Sequence, residues 1–384
     1  MRKKICFIVS TPYTAKSFLE SHFESLSTQY EVYLVANLND LELPNYSNPY
    51  LQEVKHIPIH RKINLKEDLK ALFLLTRYLR KNKFDAIITF TPKAGLIGII
   101  SGKLAKTKHR IHFFTGQVWH TKKGFFKFFL IFLDKLVVSL STSVLVDGRP
   151  QQEFLILNNI ITKNNSLVLG KGTISGIDLA KFSPNDQIRV ELRKSLNYEK
   201  NDIVFMFLGR LNKDKGIFDL VEAFDQLTAV YSNVKLLIVG PDEENVIEQL
   251  NQKPKDKYHF YGLTDNPEKI IQICDVFCLP SHREAFGLSI IEASACQKPI
   301  ICSDTYGLQD TIIDKITGLR HITQSVSSIQ EKMKYLIDYP IERNEMGIEG
   351  RNYTEAYFSK EIMAKLWLNY FNNLFSYKKN NFKL

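Results

Sequence analysis

The stretch Arg283-Glu284-Ala285-Phe286-Gly287-Leu288-Ser289-Ile290-Ile291-Glu292-Ala293-Ser294-Ala295 sets two carboxylates eight positions apart around a glycine, and its flanks decide the fold. Before it, Asp275-Val276-Phe277-Cys278-Leu279-Pro280-Ser281 reads as a short buried strand. After it, Lys298-Pro299-Ile300-Ile301-Cys302-Ser303 reads as another. The unit is β-loop-α-β, the repeating piece of a parallel sheet. Gly287 frees the backbone to turn tightly into the helix. The first helical amides then point unpaired beyond the strand end, with the positive end of the helix dipole behind them, and an anion belongs there.

Working outward, the same alternation fills the chain. Strands are predicted at 5–10, 32–36, 86–90, 111–114 and 144–147, with helices near 15–28, 66–81, 94–105, 125–140 and 150–158. It restarts with strands at 203–208, 236–240, 259–261, 276–279 and 299–302. At 384 residues the chain is too long for one ordinary core. Two doubly wound α/β domains are implied, and ligands of such sheets bind beyond the carboxyl ends of the strands. The first strand is not followed by G-x-G-x-x-G, which argues against a dinucleotide-dependent oxidoreductase.

Glu284 and Glu292 do not suit a hydrolytic pair. With Glu284 on the loop and Glu292 inside the helix they lie roughly 8–12 Å apart by helical rise, and two carboxylates that cleave a glycoside with retention need about 5 Å. They must do separate jobs. Glu292 is expected to accept hydrogen bonds from the vicinal hydroxyls of a ribose, and Glu284 to meet those of a second sugar. The competing reading is a pair of solvated surface charges.

Charge is unevenly spread. The chain has a net charge of +10, yet residues 1–180 hold 25 of the 51 Lys+Arg and only 13 of the 41 Asp+Glu. The first half is therefore basic and the second nearly balanced. No recognition helix, RNA-binding module or zinc framework accompanies that charge, so an anionic membrane surface or a polyphosphate-bearing acceptor fits better than nucleic acid. The five cysteines, at 6, 274, 278, 296 and 302, sit in or beside apolar runs without metal-ligand spacing. They read as reduced core thiols in a cytosolic protein. The apolar run after Arg2-Lys3-Lys4 is too short for a signal peptide and reads as a first buried strand.

The segment EAFGLSIIEASACQKPIICSD, with its Glu284-x7-Glu292 spacing, resembles the signature of the family 4 glycosyltransferases. These are retaining, metal-independent enzymes of the GT-B fold that use nucleotide-sugar donors. Gly209-Arg210-Leu211-Asn212-Lys213-Asp214-Lys215-Gly216 resembles the GR-x4-KG element, whose Arg and Lys grip the donor diphosphate. Leu236–Pro241, Phe260-Tyr261-Gly262, Gly307-Leu308 and Thr317-Gly318-Leu319 resemble further blocks in the same order. Between the halves, residues 170–178 resemble the hinge, with Ser175 where Asn is more usual.

The resemblance implies two facing Rossmann-like domains with a cleft between them: 1–178 for the acceptor, 179–359 for the donor, and a C-terminal helix, 360–384, crossing back onto the first. It implies donor binding by Gly209, Arg210, Lys215, Thr264, Glu284, Phe286, Gly287, Leu288 and Glu292, with Glu284, Arg210 and Lys215 also catalytic. An Arg fork and a mobile Lys charge together suit a diphosphate. Backbone at 261–264 is expected to line the base, against a rival reading of strand-end packing. For the acceptor, Lys93, Thr115 and Gly116 are expected; a solvated role for Lys93 is equally open. Many relatives have a histidine where Thr115 stands, so a histidine role passes to His120 or His112.

Residues 122–135 are rich in phenylalanine and lysine, and too short in uncharged run to span a bilayer. They could lie in a membrane interface. A core helix beneath the sheet is the preferred reading for most of the phenylalanines. The activity expected is transfer of a hexose or N-acetylhexosamine, from UDP in the first place, to a lipid-diphosphate-linked saccharide in bacterial O-antigen or capsule assembly. That places the protein at the inner face of the cell membrane, peripherally bound, with no metal or cofactor. A nucleotide-sugar epimerase of the same fold and a non-catalytic basic binding protein are the alternatives.

Overall fold

The computed structural model describes residues 2–39, 43, 45–60 and 64–376. The chain divides into two compact units, residues up to Gly176 together with the segment from Lys360, and Ile177–Ser359. The break falls two residues before the expected 178/179. Of the C-terminal segment expected as helix, residues 377–384 lie outside the described ones.

The first unit runs β1 Lys4–Ile8, α1 Pro12–Phe18, α2 Glu20–Ser27, β2 Glu31–Ala36, β3 Glu53–His56, α3 Leu65–Asn82 and β4 Ala86–Phe90. It continues with α4 Pro92–Leu104, β5 His109–Phe114, α5 Gly124–Leu140, β6 Ser143–Val146, α6 Arg149–Leu157 and β7 Ser166–Val168. Its seven strands lie in the order β3-β2-β1-β4-β5-β6-β7 with every pairing parallel. The central strands are buried on both faces, which is why they read as unbroken apolar runs. The helix predicted at 15–28 is two helices that meet at Leu19.

The second unit runs α7 Asp186–Ser195, β8 Ile203–Leu208, α8 Ile217–Thr228, β9 Val234–Val239, α9 Val246–Gln249, β10 Tyr258–Gly262 and α10 Pro267–Ile270. There follow β11 Val276–Leu279, α11 Leu288–Ala295, β12 Ile300–Ser303, β13 Gly318–His321, α12 Val326–Asp338 and α13 Pro340–Tyr357. The order is β10-β9-β8-β11-β12-β13, again parallel throughout. Asp275, just before β11, is gripped by Arg189 at 2.6 Å and Arg193 at 3.1 Å, both on α7. That fixes the strand whose far end leads into the Glu284 loop.

The last helix, α14 Lys360–Ser376, belongs to the first unit. Met363, Trp367 and Phe371 are fully buried on the sheet face that also holds α2. Trp367 stacks on Phe113 at 5.9 Å and lies against Phe7 and Phe90. The opposite face holds α3 and α4, and α5 beside α4. Here one expectation is corrected. The phenylalanines of α5 are not core: Phe125, Phe128, Phe129 and Phe132 face outward, and the inner face is built from Leu130, Ile131, Val137 and Val138. The helix has two apolar sides, and the smaller aliphatics fit the sheet. All five cysteines are buried free thiols.

Trp367→Ala should cost the first unit about 3–5 kcal/mol, the usual loss for truncating a fully buried tryptophan. Urea unfolding measures it, and a change below about 1 kcal/mol would contradict the docking of α14.

Candidate functional site

In the second sheet the strand order reverses between β8 and β11, the place beyond which ligands of open parallel sheets bind. The loop after β8 contains Arg210 and Lys215; the loop after β11 contains Ser281 to Glu284. Three consecutive residues, His282 to Glu284, join them, and Ser281 braces the last of these. Ser281 is fully buried and donates to Glu284 Oε2 at 3.2 Å. The amide of His282 donates to Asp214 O at 2.8 Å, and its Nε2 lies 2.7 Å from Asp219 Oδ2. Arg283 donates to Asp214 at 3.2 Å. Lys215 Nζ is ion-paired to Glu284 Oε2. The two loops are in such close approach that a Cβ on Gly216, at φ 70°, would sit 2.1 Å from Pro280 O. A side chain at 216 would push Lys215 away from Glu284.

Burial alone would raise the Glu284 pKa, but the Lys215 charge and hydrogen bond outweigh it and hold the carboxyl below its ordinary value. Its contribution to stability is therefore present above the ordinary carboxylate range and is lost as pH falls through the depressed value. Arg210, half-exposed, donates through Nη1 to both carboxylate oxygens of Glu243 at 3.0 Å. Asn212 Nδ2 donates to the same carboxylate at 2.7 Å. Sequence reading missed Glu243, because its partner lies 33 positions away and follows a different strand.

The helix α11 starts as expected. Gly287 is its N-cap at φ 69°, and no side chain caps it. Glu292 sits in its second turn with no hydrogen-bond or ion-pair partner among the described residues. Burial pushes its pKa up to about 7, Lys181 lowers it and Glu268 raises it. A group raised in this way costs stability as pH rises through about 7. Phe286 is in the core, edge-on to Phe358, so it can offer a ligand only its backbone. Leu288 is half-buried against that core. Thr264 accepts from the amide of Asn266 at 3.1 Å.

In the first sheet the order reverses between β1 and β4. There Ser10 Oγ and Thr91 Oγ1 are 2.9 Å apart, and Thr91 adopts φ 67°, an uncommon conformation for a β-branched residue. Lys93 is not a solvated lysine: it is mostly buried and paired with Asp68 at 2.7 Å. A small pocket opens beside Thr91, bounded by Thr115, Gly116, Trp119, Leu130 and Asp134. His112, also on its wall, is buried, meets Thr89 Oγ1 at 2.9 Å, and is driven down to about 3, so it is neutral. His120 lies edge-on to Phe154 and is absent from the pocket wall. Asp134 was also missed. It accepts from Trp119 Nε1 at 2.7 Å, and burial raises it to about 6 against that bond. A single acid inside an apolar, lysine-flanked run was the signal available.

The family model described as "Glycosyl transferases group 1" matches residues 188–353. The chain is 32% identical to the capsular polysaccharide biosynthesis glycosyltransferase CapM of Staphylococcus aureus over 347 residues, 87% of each chain. It is 27% identical to the UDP-Gal:alpha-D-GlcNAc-diphosphoundecaprenol alpha-1,3-galactosyltransferase of Escherichia coli over 265 residues, 67% of each. Sucrose-phosphate synthase of Thermosynechococcus elongatus shares the fold, with a TM-score of 0.81 at 20% identity, covering 98% of this chain and 100% of that one. The chain belongs to the group 1 glycosyltransferases, the family 4 type that its Glu-x7-Glu segment resembles, and each of its units has the parallel α/β sheet of the GT-B fold. It is a glycosyltransferase.

Lys215→Met should leave Glu284 part-buried without its cation. Its pKa should then rise above the ordinary carboxylate value, and the second unit should lose about 3 kcal/mol at neutral pH. Carboxyl-carbon NMR titration and thermal unfolding read both changes. An unmoved Glu284 would contradict the electrostatic account of the pair.

Proposed function

We propose that the enzyme moves a hexose or N-acetylhexosamine from UDP to a lipid-diphosphate-linked saccharide, with retention and without a metal, in capsule or O-antigen assembly at the inner face of the cell membrane. The observation that supports this most is that Arg210 and Lys215, on the loop after β8, and the uncapped start of α11, after β11, all follow the two strands that flank the switch point of the second sheet. Three sources of positive potential there suit a diphosphate. The capsule and diphosphoundecaprenol roles named for the two relatives favour the acceptor class.

In this reading Lys215 and Arg210 turn from Glu284 and Glu243 toward the donor diphosphate and neutralise the charge that develops as the glycosyl bond breaks. Glu284, released, takes hydroxyls of the transferred sugar. Glu292 takes the ribose diol, Gly209, Gly287 and Leu288 offer backbone, and the Tyr261–Thr264 backbone lines the base. The acceptor hydroxyl attacks from the face the diphosphate leaves, which retains configuration without a protein nucleophile. In the first unit, Thr115 and Gly116 border the acceptor pocket, and Lys93 and His120 are the further candidates for acceptor contact.

Glu284→Ala should lower transfer of radiolabelled sugar by about 100-fold or more, and unimpaired transfer would refute that residue's role. The pKa of about 7 at Glu292 gives a second outcome. Donor affinity should strengthen as pH rises through that value, since only the ionised carboxylate accepts both ribose hydroxyls. Glu292→Gln should flatten the profile in a calorimetric titration with UDP, and an unchanged slope would remove Glu292 from the donor site.

A further inference from the structure

On α5 the residues Phe125, Phe128, Phe129 and Phe132 recur at the i, i+3, i+4, i+7 spacing of one helical face. That face is bare: Phe125 is 85% exposed, Phe128 69% and Phe132 61%. Leu130, Ile131, Val137 and Val138 on the other face pack inward. An ordinary surface helix has one apolar stripe, and this one has two, with its polar Asp134 on the inner side, bonded to Trp119. Four outward phenylalanines in two turns form the kind of contiguous apolar surface that marks an interaction site. Exposed lysines frame it, Lys122 and Lys123 just before the helix and Lys135 beside the stripe. No helix among the described residues is long and apolar enough to cross a membrane.

We infer that α5 docks the enzyme on an anionic bilayer, the phenylalanine stripe entering the acyl boundary and the lysines meeting lipid phosphates. Charge complementarity selects this occupant. Aromatic side chains flanked by lysines suit an interface with anionic headgroups, and the surrounding half of the chain is the basic one, 25 Lys+Arg against 13 Asp+Glu in residues 1–180. The inference deepens the proposed function, since it gives the membrane contact a place. It also gives it a geometry. Leu130 and Asp134, on the inner face of the same helix, wall the pocket at Thr115 and Gly116. One helix therefore faces lipid on one side and the proposed acceptor site on the other. A sugar tethered to a lipid needs only a short reach from the headgroup plane to that pocket.

The test is sedimentation of the full chain with vesicles of equal parts phosphatidylglycerol and phosphatidylcholine, containing neither lipid-linked sugar nor nucleotide sugar. The wild type should bind. The fourfold variant Phe125→Ser, Phe128→Ser, Phe129→Ser, Phe132→Ser should bind at least about tenfold more weakly while keeping its circular dichroism and melting temperature. Lys122→Glu with Lys123→Glu and Lys135→Glu should abolish the preference for phosphatidylglycerol over pure phosphatidylcholine. Equal vesicle binding by the fourfold variant would overturn the inference. So would a wild type that ignores vesicles, or a stripe that proves to join two copies of the chain, seen as a dimer that the serines convert to monomer. Vesicle binding without transfer to a lipid-linked sugar would sink the proposed acceptor and leave the docking face standing. Transfer in detergent without vesicle binding would do the reverse.

Discussion

The second unit depends on a clasp between two loops. Residues 281–284 after β11 reach the turn after β8 through His282 with Asp219, Arg283 with Asp214, and Glu284 with Lys215. Each link joins opposite charges or a charge and an imidazole, and each sits beyond the carboxyl ends of adjacent parallel strands. Without them the two loops would diverge, because the chain leaves β8 and β11 toward opposite neighbours in the sheet. The clasp holds Lys215 on the Glu284 carboxylate, a short loop before the N-cap of α11, and in the proposed reaction a diphosphate would compete with that carboxylate for the ammonium.

The first unit shows a different economy. Its sheet is covered on one side by α2 and α14, the latter contributed from the far end of the sequence, and on the other by α3, α4 and α5. The core is complete without the phenylalanines of α5. Their cost in exposed apolar surface has no compensation inside the unit, which is the reason to look for it in a lipid surface. The same helix buries Asp134 against Trp119, and a carboxyl raised to about 6 beside a pocket is a group able to change protonation near neutral pH.

Much of this could be seen in the sequence. Central strands such as Ala86–Phe90 and Val276–Leu279 are continuous apolar runs, because burial on both faces demands it. The helix start at Gly287 follows from local residue type, while Arg210 and Lys215 were singled out by the resemblance of Gly209–Gly216 to a family element. The edge strands were missed for local reasons: Glu53–His56 carries charged residues that break an apolar run, Ser166–Val168 is only three residues long, and Gly318–His321 mixes glycine, arginine and histidine with a single leucine. Glu243 and the His282–Asp219 contact could not be read, because nothing local encodes a partner on another loop. The phenylalanines of α5 were misplaced for a physical reason too: periodicity reports that a helix has an apolar face, and this helix has two, so the pattern does not say which one meets the core.

A crystal structure of the chain with UDP bound tests the central claim most directly. The account predicts the diphosphate beyond the ends of β8 and β11, with an oxygen in hydrogen-bond reach of Lys215 Nζ and Arg210 turned away from Glu243. A nucleotide seated elsewhere, with the Lys215–Glu284 and Arg210–Glu243 pairs intact, would contradict it.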